Sequence, residues 1–156
     1  MGKAFQLEII TPNDPFYKGS AESVILPAID GEYGVLAGHE PVVTAIEPGT
    51  ARYLVDGEWK EVVVGQGFAE IMPDYTILLV ATADRLEDID KVRAQRAKEH
   101  AEERMRQKKS IHEYYRSKAT LARAMARLKA CRFLCFTIGC LHYYRLTNIH
   151  PGYHTA

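Results

Sequence analysis

Cysteine is scarce in this chain: three residues among 156, all of them after position 130. Three thiols in one short segment build no disulfide framework, so a reducing compartment is expected. Long apolar runs are missing as well. A membrane-spanning helix needs about 20 consecutive apolar residues, and nothing here reaches that length. The motifs GxxxxGK[ST], GxSxG and HExxH are absent, and with them the phosphate loop, the esterase-type nucleophile and the zinc protease helix. Histidine occurs once before residue 85, as His39. The opening Met1 to Glu8 runs straight into an alternating pattern, so no leader peptide is expected. Positive charge is also thin at first: residues 1–84 hold 4 Lys/Arg against 13 Asp/Glu, and residues 85–130 hold 14 against 7. The formal net charge is zero. An acidic body carrying a basic arm calls for an acidic partner at the arm.

What is present is strand pattern, then helix pattern. Phe5, Leu7 and Ile9 alternate with Gln6 and Glu8, as a half-buried strand does. Ala21–Pro27, Thr50–Val55, Trp59–Val64 and Phe68–Met72 read as further strands. Asp56-Gly57-Glu58 predicts a tight hairpin, because Asp-Gly accepts positive φ. Thr76–Ala83 is nearly all apolar and reads as a strand buried on both faces. Short strands separated by turn residues predict an antiparallel sandwich. At Asp84 the period changes. Residues 84–109 contain neither Gly nor Pro, and Leu86, Ile89, Val92, Ala97, Ala101 and Met105 form a thin stripe. After Ser110, which with Glu113 reads as a capping box, a second stripe runs through Ile111, Tyr114, Leu121, Met125 and Leu128. The expected fold is α+β: a flattened antiparallel β-sandwich over 1–84, followed by an α-helical hairpin over 85–130. Alanine buries little area, so at about 25 cal/mol per Å² such a hairpin is held by only a few kcal/mol.

Candidate chemistry is limited. Gly65-Gln66-Gly67 begins like a dinucleotide fingerprint, but it lies between strands and Glu70 occupies the last glycine position. Arg116, Arg123 and Arg127 are spaced by seven and four, on one helix face, and Asp90 and Arg93 are one turn apart. Antiparallel packing would let these sets converge around a phosphate; otherwise they form a solvated basic face. In the segment after Ala130, Cys131, Cys135, Cys140 and His142 match no common zinc spacing. Cys131 to Tyr144 is too short to span a bilayer.

The segment from Leu7 to Gly49, with its Gly31-Glu32-Tyr33-Gly34-Val35-Leu36 and Gly38-His39 runs, resembles the opening of the epsilon subunit of bacterial F-type ATP synthases. GQGFAEIMPDYTILLVATA (65–83) is similar to the end of that family's β-domain. EDIDKVRA (87–94) and ARAMARLK (122–129) are similar to its two helical signatures. The resemblance implies a non-catalytic rotor subunit with no resident cofactor. Its implied partners are the gamma shaft, the c-ring of the membrane sector and the alpha and beta catalytic subunits. Its implied place is the cytoplasmic face of the bacterial membrane, reached only through the complex. Glu32, His39 and Glu40 would face the c-ring. The helical arm would permit turnover when folded and block ATP hydrolysis when extended, with Lys108, Lys109, Arg116 and Arg123 pairing with acidic loops. Some members bind regulatory ATP on the folded hairpin. By resemblance, Asp84, Asp90, Arg93, Arg123 and Arg127 would form that site, Asp84 standing where such members carry Glu.

Residues 131–156 fall outside the resemblance and read as an unrelated tail, expected to be poorly ordered, from a changed reading frame or a junction. The competing reading from composition is a basic-arm nucleic-acid-binding module, with Tyr114 and Tyr115 stacking on bases. The carboxylates of the first helix and the acidic body oppose it, so no nucleic-acid partner is expected.

Overall fold

The computed structural model describes residues 3–107 and 110–146, with 132–146 given by backbone alone. Ten strands come first among these: β1 (Phe5–Ile10), β2 (Pro15–Ala21), β3 (Ser23–Ala28), β4 (Gly31–Leu36), β5 (Val42–Ile46), β6 (Gly49–Val55), β7 (Glu58–Val64), β8 (Gly67–Ile71), β9 (Tyr75–Val80) and β10 (Ala83–Arg85). A 3₁₀ turn (Leu86–Asp88) leads to helices α1 (Lys91–Arg106) and α2 (Ile111–Leu146).

The strands form one folded-over sheet in the order β10-β7-β6-β3-β5-β8-β9-β1-β2, with β4 paired to β3 off this path. Pairing is antiparallel except for β1 on β9, which is parallel. The sandwich core is built by alternation: Phe5, Leu7 and Ile9 of β1, Val24 and Leu26 of β3, and Leu78 and Val80 of β9 all point inward. The Asp56-Gly57 turn joins β6 to β7 with φ of 53° and 78°, the double positive φ that a two-residue hairpin demands. Gly65 and Gly67 are explained by packing. A Cβ on Gly67 would collide with the Leu79 carbonyl and lie 2.8 Å from the Val80 Cα, and one on Gly65 would lie 2.7 Å from the Thr82 Oγ1. The glycines of the Gly-Gln-Gly run therefore admit a neighbouring strand.

Four expectations change. The strand expected over Thr76–Ala83 ends at Val80 and is buried on one side only, with Leu79 37% exposed on the other. Asp84 does not open a helix; it lies in β10, whose partner is β7, and α1 begins at Lys91. The helix seam is also narrower than the predicted stripes. Ala94 and Ala101 of α1 and Ser117, Ala124, Ala126 and Ala130 of α2 are buried, whereas Val92, Ile111, Tyr114 and Met125 are exposed. Small side chains let two backbones approach closely, and the larger apolar groups are displaced to the flanks. At the far end, the backbone of α2 continues to Leu146, past the Ala130 boundary read from the sequence. Residues 131–138 contain no glycine or proline to stop it.

Gly67→Ala should lower stability by about 1–3 kcal/mol, because the collision is with backbone rather than a flexible side chain; urea unfolding of the sandwich measures it. Thr76 is fully buried and its Oγ1 has no hydrogen-bond partner. Thr76→Val should therefore raise stability, by about 1 kcal/mol, and an unchanged or lower urea midpoint would contradict this.

Candidate functional site

The arm begins with a capped turn. The Asp90 carboxylate accepts hydrogen bonds from the Val92 and Arg93 backbone N–H groups at 2.8 and 3.0 Å, so its Oδ1 is the N-cap of α1. On α2, the Ser110 Oγ accepts from the Glu113 N–H at 3.1 Å, as the capping signal predicts. A carboxylate committed to a cap fixes where α1 starts and which way Arg93 leaves the helix. The Arg93 side chain is exposed.

Asp84 and Arg127 meet. The Arg127 Nε and Nη2 both donate to the Asp84 Oδ2, at 3.0 and 2.8 Å, across 43 positions of sequence. Each side chain is 31% exposed. Beside this pair, Ala126 and Ala130 of α2 cover Val63 of β7, with Leu86 and Ile89 packed against them. The pair and this patch dock the arm on the sandwich. Of the predicted nucleotide set, Asp84 and Arg127 thus partner each other and Asp90 caps α1. Half-buried Arg123 donates to the Thr120 Oγ1 at 3.3 Å, and Thr120 in turn donates to the Arg116 carbonyl at 3.0 Å. Arg116 is exposed; Lys108 and Lys109 lie outside the described residues.

A cleft of about 340 Å³ opens between the linked ends of the helices. His100 and Arg104 of α1 and His112 and Arg116 of α2 line it. Only Arg116 among these is singled out by the sequence reading. The repeated His-x3-Arg spacing on both helices was the available signal.

β4 and its exit loop form another surface. Glu32 is exposed and accepts from the Arg52 guanidinium at 2.8 Å. His39 is fixed at both ring nitrogens: Nδ1 donates to the Glu40 carbonyl at 2.8 Å, and Nε2 accepts from the Tyr33 hydroxyl at 3.1 Å. The Tyr33 and His39 rings are 5.6 Å apart. Exposed Leu36 lies near this loop, its carbonyl bonded to the His39 N–H. Glu32, His39 and Glu40 are thus on one surface region of β4 and its exit loop.

The sheet face away from the core carries an apolar row that sequence reading did not isolate. Ala45, Phe68, Leu79 and Ile10 are paired directly across β5, β8, β9 and β1. Phe68 is 49% exposed, and Val43, one rung along, is 67% exposed. At the border of this face the Tyr75 hydroxyl donates to Glu70 at 3.1 Å, a bond that pushes the phenol above its usual 10.0.

Among the described residues no group of His, Cys, Asp and Glu side chains could hold a metal, and no helix is long and apolar enough to cross a membrane. Comparison with known proteins identifies what this architecture is. Residues 4–86 match the family model for the β-sandwich domain of the ATP synthase delta/epsilon chain, and residues 87–132 match that for its long α-helix domain. The ATP synthase epsilon chain of Ruminiclostridium cellulolyticum is 52% identical over 126 residues, 81% of this chain and 94% of that protein. The epsilon chain of Caldanaerobacter subterraneus is 45% identical over 130 residues, 83% of this chain and 94% of that one. A chain in the Euglena gracilis mitochondrial ATP synthase, 22% identical, shares the fold with a TM-score of 0.67 over 78% of each chain. The chain belongs to the ATP synthase delta/epsilon family, as a non-catalytic subunit of that complex.

Proposed function

We propose that this subunit links the gamma shaft to the c-ring of a bacterial F-type ATP synthase, at the cytoplasmic face of the membrane, and that its helical arm restrains ATP hydrolysis. The carrying observation is how lightly the arm is held. The fully buried residues along its helices are alanines and one serine, with Leu121 and Leu128 only half-buried, and its contact with the sandwich is a half-exposed ion pair beside a small apolar patch. Each buried methyl supplies about 0.8 kcal/mol, and an ion pair this exposed adds on the order of 1 kcal/mol. A balance of a few kcal/mol is one that a partner or ligand can tip. The Ala45-Phe68-Leu79-Ile10 row supplies an apolar surface for the shaft, and the Glu32–Glu40 region supplies a polar one for the loops of the ring. The extended arm offers Arg116 and Arg123, with Lys108 and Lys109, to acidic loops of the catalytic subunits.

ATP is the regulatory ligand in this reading, bound on the folded hairpin with Arg93 and Arg123 as its phosphate contacts. A ligand that binds only the folded arm stabilises it by RT ln(1 + [L]/Kd), about 2.7 kcal/mol at one hundred times Kd. That matches the scale of the seam, so abundant ATP keeps the arm down and scarce ATP releases it. Arg127 reaches a phosphate only by exchanging its Asp84 partner.

Calorimetric titration of the parent chain with ATP should give a saturating heat that Arg93→Ala and Arg123→Ala each weaken by tenfold or more. No heat in the parent, or equal heats in all three, removes ATP from the scheme. Separately, Arg127→Ala should loosen the dock. In complexes reassembled with this variant, hydrolysis at low ATP should fall severalfold below the parent rate; an unchanged rate would contradict the role of the dock.

A further inference from the structure

Toward their linked ends, the last fully buried residues of α1 and α2 are Ala101 and Ser117, and both also line the cleft. Its walls are unusual in sign. His100 and Arg104, one turn apart on α1, face the cleft from one side, and His112 and Arg116, one turn apart on α2, face it from the other. Glu113 is the one carboxylate in the lining. The linked ends of the hairpin therefore bring two guanidiniums and two imidazoles together, and the one carboxylate balances only one of the two guanidiniums. Like charges on facing helices repel, and little apolar burial is present there to offset that: Ala101 and Ser117 are small, Ile111 and Tyr114 are exposed, and Met105 is half-buried.

The cleft also has the donors to hold what would cancel this charge. Ser110, Ser117 and Thr120 line it with hydroxyls. Ser117 is only 4% exposed. The first turn of α2 is part of the wall, and backbone N–H groups at a helix start favour negative charge. Guanidinium groups bind tetrahedral oxyanions through paired N–H donors. The volume, about 340 Å³, exceeds what one phosphate group needs and leaves room for its water.

We propose that this cleft binds a phosphate-type oxyanion, which bridges Arg104 of α1 to Arg116 of α2 and staples the hairpin shut at its linked end. The anion comes either from free inorganic phosphate or from the phosphate chain of a nucleotide. The site is distinct from the Asp84–Arg127 dock and stands whether or not Arg93 binds a nucleotide. Removal of the anion leaves the facing cations unbalanced, so the arm opens first at this end.

The test uses the full chain and follows the ring resonances of His100 and His112 by NMR while inorganic phosphate is added. Saturable shifts of both rings are expected, absent when sodium chloride is raised to the same ionic strength. Arg104→Gln/Arg116→Gln should weaken the response at least tenfold, while Lys129→Gln, an exposed cation outside the cleft, should leave it unchanged. Shifts that chloride reproduces, that never saturate, or that survive the double substitution overturn the proposal. Retained helical circular dichroism in the double variant confirms that the cleft itself was tested; if the variant does not fold, the parent's saturation and chloride arms decide alone. Adding ATP to the phosphate-saturated protein identifies the source. Displacement of phosphate assigns the site to a nucleotide's phosphates, and coexistence assigns it to the free ion. Arg93→Ala, which should weaken ATP binding tenfold or more, should keep the phosphate response, so the two readings fail independently.

Discussion

The position of the arm depends first on a contact between distant parts of the sequence, the Arg127 guanidinium on the Asp84 carboxylate. Around it every participating group is small or half-exposed: Ala126 and Ala130 from the helix, Val63 from the sheet, Leu86 and Ile89 from the connector. The sandwich has its own core and does not need the arm. The arm has almost no core of its own. Its fully buried side chains are methyl and hydroxymethyl groups, and its orientation is set by where Asp84 sits in β10 and where Asp90 starts α1. These two acidic residues, six positions apart, fix both ends of the short connector.

Much of the sandwich was legible in the sequence because its signals are local. Alternation marks β1, and Asp56-Gly57 marks the β6–β7 turn with the two positive φ values that the structure contains. The parallel pairing of β1 with β9 was not legible, because partner choice between strands far apart in sequence leaves no local pattern. The helical arm was legible as to kind and only in part as to face. Periodicity placed Ala101 on the buried stripe but also favoured the larger Val92, Ile111 and Met125, which are exposed, while Ala94, Ser117 and Ala124, which it did not name, are buried. Hydrophobic size is a poor guide where the constraint is how closely two backbones approach.

The same limit applies to the candidate site. Spacing alone puts Arg116, Arg123 and Arg127 on one face, and it cannot show that Arg127 already has a carboxylate partner 43 positions away. Nor does it distinguish Asp90 as ligand contact from Asp90 as helix cap, because both uses require the same residue one turn before Arg93. The His-x3-Arg pairs at 100–104 and 112–116 were visible as letters, but they acquire meaning only when the hairpin brings them to one cleft. The apolar row across β5, β8, β9 and β1 likewise exists only once the register is known.

The distance between the dock and the cleft turns α2 into a lever. From Arg127 to Ile111 is sixteen residues of helix, about 24 Å at 1.5 Å per residue. A rotation of about 10° pivoting at Arg127 carries the linked end through about 4 Å, as simple helix geometry requires. An adjustment at the pivot no larger than the exchange of one hydrogen-bonding partner is thus magnified into a separation wider than the contact it disrupts. The small side chains near the pivot give the rod a smooth bearing, and its length supplies the mechanical advantage.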